Sequence, residues 1–371
     1  MTSRKPDTMQ FSDFRNLCVE LQCRGVNIDT AYPGRTGGAG PAEGQTVIIE
    51  GRYLNIPTNS WYVPMSPYRI ENHKSRWRLY KKKDCICDVV FPRKPDFYNQ
   101  VAPSGLSLQQ VALLHGSDCF ASTIYQDCLY WNTPLQCRFC GIGLSLENKT
   151  TILLKDPDDL AFAAAQAQQH DAARHVTLTA GAWPDEARGL DHLCACVREI
   201  KKRTAMPVHA QIHPPRSMWA IDVLKSAGAD TLGLHIEVCD TELLADMVPG
   251  KAALGLQAYT AAWEHAVAVF GINQVSSFLL AGLGETLQQF STMADTIARL
   301  GVFPYVLPLR PIPGSLLADS KPPEPAYMTD VYAQTAGILK KHKLASKNSK
   351  AGCVRCGACS CLSLFEDETI L

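Results

Sequence analysis

Three cysteines, Cys128, Cys137 and Cys140, fall at the spacing Cys-x8-Cys-x2-Cys. Three thiolates can hold three irons of a [4Fe–4S] cube and leave the fourth iron open, unlike the four-thiolate sites of electron-transfer clusters. An open iron can chelate a small molecule. If that ligand is S-adenosylmethionine, one electron from the cluster can cleave its sulfonium and start radical chemistry. The close Cys-x2-Cys pair would also serve a zinc knuckle, so the cysteines alone leave both readings open. A second set, Cys353-x2-Cys356-x2-Cys359-x-Cys361, lies near the C-terminus. Such a density of thiolates is a soft-metal signal. Structural zinc, an auxiliary [4Fe–4S] cluster and direct capture of a soft thiophile such as trivalent arsenic are the three readings of it.

The rest of the composition bounds these readings. The chain has 371 residues, enough for one large domain with appendages or for two domains, and 46% of them are hydrophobic. Lys+Arg and Asp+Glu are 36 each, so the net charge is zero and neither a nucleic-acid nor an anionic-membrane partner is expected. The first residues, Met1 to Asp7, lack the apolar region of a signal peptide. No apolar run approaches the roughly 20 residues of a membrane span. A cytoplasmic location is therefore expected. In that reducing compartment fifteen cysteines are not a disulfide framework, and metal or cluster ligation accounts better for the clustered ones.

The elements that must position the thiols follow from periodicity. Residues 11–24 carry Phe11, Phe14, Leu17, Cys18 and Leu21 three or four apart, an amphipathic helix that Gly25 can stop. Residues 34–41 are a glycine-rich loop without the Gly-Lys-Ser/Thr ending of a phosphate-binding loop, read as a connector or a substrate-covering loop. Residues 46–90 predict short strands at 47–49, 53–56 and 77–80, with Lys81 to Asp84 at a solvated hairpin tip. Cys85 and Cys87 lie on a strand and are read as structural. A strand rich in β formers, 119–125, leads into the cysteine motif. Cys119 is left out of the ligand set because Cys128 lies closer to Cys137 and Cys140.

Beyond Cys140 the pattern becomes a repeated βα unit. Helices are expected at 156–170, 189–203, 217–227, 255–270, 287–300 and 330–341, with strands at 175–181, 207–212, 231–237, 274–280 and 303–310. That repeat predicts an α/β fold with a parallel sheet in a closed or partly closed barrel, where chemistry collects at the C-terminal strand ends. Thr177, Thr179 and Gly181 share one face of their strand. So do His209, Gln211 and His213, and Gly233, His235 and Glu237. Strands buried on both faces normally read as near-continuous Val/Ile/Leu, so polar faces on neighbouring strands imply a wet cavity inside the barrel. The basic run after the last helix, Lys340 to Lys343, reads as a solvated helix end.

These residues resemble the radical S-adenosylmethionine superfamily, whose usual motif is Cys-x3-Cys-x-aromatic-Cys. Cys137-Arg138-Phe139-Cys140 matches its second half, with Phe139 at the aromatic position; the first gap is eight residues instead of three. Thr179 to Ala182 is similar to the family's backbone segment beside the methionine amine. Ile236-Glu237 resembles the fourth-strand polar residue near the ribose. Ala281 to Thr286 resembles the family's Gly-x-Pro-Gly-Glu-Thr turn near the adenine, and Pro308 to Gly314 its sixth-strand exit. Gly37 to Gly44, Cys137 to Gly141 and Gly352 to Ser360 also resemble a bacterial radical enzyme family encoded beside a nitrilase. A further resemblance is to the radical enzyme of arsinothricin biosynthesis, which moves the 3-amino-3-carboxypropyl group of S-adenosylmethionine to arsenic.

The resemblance implies a partial (βα)6-type barrel over 116–318, preceded by an N-terminal helix and β-rich unit over 1–115 and followed by a helix and Cys-rich tail over 319–371. It implies a [4Fe–4S] cluster on Cys128, Cys137 and Cys140, with S-adenosylmethionine bound by Phe139, Ala180, Gly181, Glu237, Gly282 and Leu283. Glu237 accepts from the ribose or amine, so Glu237→Gln is expected to weaken cofactor binding and leave the fold intact. A second cluster or zinc on Cys353, Cys356, Cys359 and Cys361 is the expectation for the tail. The implied partners are a small-molecule substrate and a reducing donor such as flavodoxin or ferredoxin. The usual product is the 5′-deoxyadenosyl radical; cleavage on the other side of sulfur would transfer the aminocarboxypropyl group. The reading from another class is a non-catalytic zinc or iron–sulfur scaffold.

Overall fold

A computed structural model describes residues 10–28, 43–74 and 76–366. Its central sheet has seven strands in sequential order among the described residues. Six run parallel: β1 (Cys119–Tyr125), β2 (His175–Ala180), β3 (Val208–Ile212), β4 (Thr231–Leu234), β5 (Val275–Ala281) and β6 (Phe303–Pro308). The short strand Leu113–His115 pairs antiparallel with β1 at one edge. Helices α1 (Pro157–His170), α2 (Glu186–Arg203), α3 (Trp219–Ala227), α4 (Gly255–Phe270) and α5 (Leu287–Arg299) fill the crossovers, and α6 (Pro325–Lys341) follows β6. Sequential parallel order with helical crossovers curls the sheet into an open half-barrel, the expected (βα)6-type architecture.

Alternation along each strand separates two environments. Phe120, Val176, Leu178, Val208, Ala210, Leu232 and Leu234 lie wholly buried. They share the core with Leu193, Val197 and Ile200 of α2 and Trp263 of α4. The alternate positions, among them Cys119, Thr177, His209 and Thr231, bond to one another across the inner face. Cys119 Sγ lies 3.3 Å from Thr177 Oγ1, and His209 Nδ1 lies 2.7 Å from Thr231 Oγ1.

Caps decide where the helices begin. Asp156 accepts from the Asp158 and Asp159 amides ahead of Pro157, so α1 begins where the sequence places it. Helix α2 starts three residues before its apolar pattern because Asp185 caps it through the Arg188 amide. Helix α6 starts at Pro325, well before residue 330, since proline suits the first helical turn. Strand β4 stops at Leu234, short of the expected 237, because Glu237 takes a left-handed backbone at φ 61° and makes only an isolated bridge to Leu279.

Helix Phe11–Arg24 forms as expected and ends at Gly25, whose N–H reaches Leu21 O at 3.0 Å. A two-stranded hairpin (Gln45–Ile49 and Arg52–Ile56) and a four-stranded sheet (Asn27–Ile28, Tyr68–His73, Arg76–Lys81, Asp84–Val89) make the β-rich N-terminal part. The lysine hairpin tip is there, with Lys82 at φ 55°, and of the strand's two cysteines Cys87 is buried and Cys85 exposed. The glycine-rich loop 34–41 lies outside the described residues. Lys341 and His342, at the end of α6, share Asp295 at 2.7 and 2.8 Å. No helix among the described residues is long and apolar enough to cross a membrane.

Candidate active site

The chain leaves β1 at Tyr125 and crosses the C-terminal mouth of the half-barrel as the cysteine loop. Backbone bonds hold that loop to the ends of other elements. Leu129 N–H reaches Ala182 O past β2 at 2.8 Å, and Arg138 N–H reaches Met247 O at 2.9 Å. Leu317 N–H, past β6, reaches Arg138 O at 3.0 Å. Phe139 and Cys137 pack on an apolar cluster of Val238, Val248, Leu283, Leu309 and Leu317. Loop and strand ends therefore share one small core of their own.

Cys128, Cys137 and Cys140 are partly buried and lie within electrostatic reach of one another. Burial pushes the Cys137 thiol up to about 12 and Cys140 up to about 11. No three His, Cys, Asp or Glu side chains among the described residues converge as the ligands of one metal ion. Three thiolates on one loop are a donor set that an iron–sulfur cube can take, each thiolate on a different iron. Close approach supports that fit: a Cβ at Gly181 would land on the Asp127 carbonyl and lie 2.8 Å from Cys128 Cβ. Only glycine lets β2 meet the cysteine loop at this point.

Beneath the loop lies a cavity of about 280 Å³, lined by Tyr130, Gly181, Trp183, Gln211, His213 and Lys251 among others. Glu237 and Lys251 form an ion pair beside it, with Nζ 2.7 and 2.8 Å from the two carboxylate oxygens and both side chains about nine-tenths covered. Burial disfavours the Lys251 ammonium, but the Glu237 carboxylate and Cys137 outweigh it and hold the lysine protonated. Burial, with Lys251 nearby, holds His213 neutral down to about 3. A non-glycine residue at positive φ next to a cavity is a recurrent mark of functional sites, and Glu237 is one.

The other residues expected at the cofactor are present but engaged. Ala180 and Gly181 line the cavity, yet the Gly181 N–H donates to Tyr125 O at 3.2 Å. The Gly282 and Leu283 amides donate to the Glu285 carboxylate at 2.7 and 2.9 Å, and the Tyr327 hydroxyl donates to the same group at 2.7 Å. Glu285 therefore builds the turn after β5, a role its place in the motif left unread.

The tail cysteines occupy the opposite end of the barrel. Cys356 packs against Cys119, the first residue of β1. Cys353 lies within electrostatic reach of Cys356 and Cys359, with the Gln211 side chain nearby. Cys361 is separated from them: its Sγ lies 3.2 Å from Gln22 Oε1 on helix Phe11–Arg24, fully buried with Cys18 and Cys23 nearby. Along β3, His213 opens to the cavity, His209 lies against Gly352 of the tail, and Gln211 between them lines the cavity and neighbours Cys353.

The ion pair changes what a substitution at Glu237 should do. Removing one partner of a buried pair leaves the other charge uncompensated, at a cost of about 3–5 kcal/mol. Glu237→Gln should lower unfolding stability by that order, and Glu237→Gln with Lys251→Met should recover most of it in a double-mutant cycle. A denaturant midpoint unmoved by Glu237→Gln would show that the pair is screened by solvent and that the carboxylate is free for a ligand.

No family model matches the chain. A curated relative, bacteriochlorophyllide c C-7(1)-hydroxylase of Chlorobaculum limnaeum, is 24% identical in an alignment 234 residues long, and the match covers 57% of this chain and 57% of the relative. The match thus spans little more than half of that protein's length. Among solved structures, methylornithine synthase (PylB) is similar at a TM-score of 0.47 and 16% identity, covering 69% of this chain and 74% of that one. HydG, a maturase of the [FeFe]-hydrogenase, scores 0.47 at 16% identity, covering 64% and 53%. A radical SAM methyltransferase from Sphaerobacter thermophilus scores 0.45 at 13% identity, covering 76% of each chain. With TM-scores below 0.5, these three likenesses are too weak to assign a function. The names of these four proteins mention neither a nitrilase gene cluster nor arsinothricin. The chain is similar in part of its sequence to a curated hydroxylase.

Proposed function

We propose that this protein is a radical S-adenosylmethionine enzyme acting on a small molecule held in the cavity under the cysteine loop. The observation that supports the reading best is the placement of Cys128, Cys137 and Cys140. They sit on one loop over the C-terminal mouth of a parallel half-barrel, where such folds collect their chemistry, and Leu129 and Tyr130 of the same loop line the cavity. When bound, a three-thiolate [4Fe–4S] cube supplies the electron that cleaves a carbon–sulfur bond of S-adenosylmethionine.

The chain's own residues divide the remaining work. Cys128, Cys137 and Cys140 hold the cube. Phe139 and the apolar cluster around Leu283 keep water from one side of it. Lys251 lines the cavity with its charge held in place by Glu237, a position suited to an acidic group of the ligand. Trp183, stacked on Tyr125 at 4.2 Å between ring centroids, gives the cavity a rigid aromatic wall. An external one-electron donor of low potential completes the set of partners.

The test is anaerobic reconstitution with iron and sulfide, followed by dithionite and S-adenosylmethionine. A brown protein that releases 5′-deoxyadenosine is the expected result. Release of 5′-methylthioadenosine instead would assign transfer of the 3-amino-3-carboxypropyl group. A colourless zinc protein that releases neither nucleoside would overturn the reading in favour of a scaffold.

A further inference from the structure

We propose that Cys119, Cys353, Cys356 and Cys359 are the four ligands of a second iron–sulfur cluster, seated at the N-terminal end of the half-barrel, and that Cys361 is not one of them. The proposal stands on these four residues and does not depend on the reading of the first site.

The tail enters the barrel to a defined depth. Gly352 takes φ 89°, donates its N–H to His175 Nδ1 at 3.2 Å, and lies so close to His209 that a Cβ would sit 2.7 Å from the ring. Gly357, at φ 66°, turns the chain back, and Ala358 O accepts the Asn55 N–H at 2.8 Å. Cys353 and Cys356 lie between these anchors and Cys359 follows them, and all three are within electrostatic reach of the Tyr305 hydroxyl. Gly116 makes room for the second of them, since a Cβ there would come within 2.8 Å of Cys356 Sγ. Cys119 approaches from the barrel wall and touches Cys356.

Three cysteines at Cys-x2-Cys-x2-Cys, completed by a distant fourth, is a spacing that holds a [4Fe–4S] cube. Cys119 supplies that fourth thiolate. It cannot serve the first site, because β1 separates its two ends by roughly 20 Å. A single zinc would draw its sulfurs to about 3.8 Å of one another, given Zn–S bonds near 2.3 Å.

Unpartnered polar atoms point to a ligand in the same region. His209 Nε2 and Tyr305 Oη are buried without a hydrogen-bond partner, though such atoms are normally satisfied. Both can donate, and the sulfurs of a cluster accept such bonds, which tune its potential. With all four irons closed by thiolates, the cluster has no position for an amino acid to chelate. It suits electron transfer or closure of the barrel, not radical initiation.

The experiment uses the full chain carrying Cys128→Ala, Cys137→Ala and Cys140→Ala, so that any cluster observed belongs to the second site. Anaerobic reconstitution should leave about four irons per chain, with an electron paramagnetic resonance signal that S-adenosylmethionine does not alter. Adding Cys119→Ala or Cys356→Ala should abolish both the iron and the signal. Adding Cys361→Ala should leave both in place. As a check against simple misfolding, Cys119→Ser should keep the secondary structure but shift the signal, because oxygen replaces sulfur on one iron. One zinc per chain in place of iron, an unshifted spectrum for Cys119→Ser, or loss of the cluster in Cys361→Ala would each overturn the proposal.

Discussion

Cys137→Ala and Cys140→Ala should each abolish the first cluster and all nucleoside release from S-adenosylmethionine. Each thiolate closes one iron, and two thiolates leave two irons of the cube without protein ligands. The loop gives no substitute: Cys137 and Cys140 are joined by a turn, with Cys140 N–H on Cys137 O at 3.0 Å, and no other cysteine lies on the loop besides Cys128. Cys128→Ala should behave in the same way despite the eight-residue gap, because the Leu129 N–H bond to Ala182 O fixes this cysteine over the end of β2. In each variant the iron of the tail site should remain, so total iron should fall by about four atoms and not to zero. Retention of nucleoside release in Cys128→Ala would remove it from the ligand set.

Gly181→Ala is the smallest change with a large expected effect. The added methyl would overlap the Asp127 carbonyl oxygen, which is backbone and cannot rotate aside as a side chain does. Overpacking of this kind costs about 1–3 kcal/mol, and the relief available is to lift the cysteine loop from the end of β2. That movement separates Cys128 from Cys137 and Cys140, which are held by the other side of the mouth through Met247 and Leu317. The expected outcome is a melting temperature lower by several degrees, loss of iron from the first site and unchanged iron in the tail site. Gly181→Ala with the wild-type melting point and full nucleoside release would show that the loop does not depend on this contact.

The periodic part of the chain is legible in the sequence alone. Helices Phe11–Arg24 and Gly255–Phe270 begin and end where periodicity places them, and the alternation of β and α segments implies the parallel half-barrel. The reason is that amphipathic periodicity and glycine stops are local properties, written within a few residues of where they act. The three loop cysteines are legible for the same reason, since their spacing alone suggests a shared centre. The helix starts after Asp185 and at Pro325 escape the apolar pattern because capping outweighs it there.

What only the tertiary structure decided concerns groups far apart in sequence. Cys119 and Cys356 meet because the tail threads into the barrel beside β1, and no spacing rule relates them. Cys361, two residues after Cys359, is carried off by the packing of Leu362, Leu364 and Phe365 into the main core. Glu237 reads as the continuation of a strand, yet its left-handed backbone turns the carboxylate onto Lys251. Sequence neighbours share an environment only while the backbone stays regular. Where it turns, burial and charge pairing across the fold decide which side chains converge, because an unpaired buried charge costs several kcal/mol.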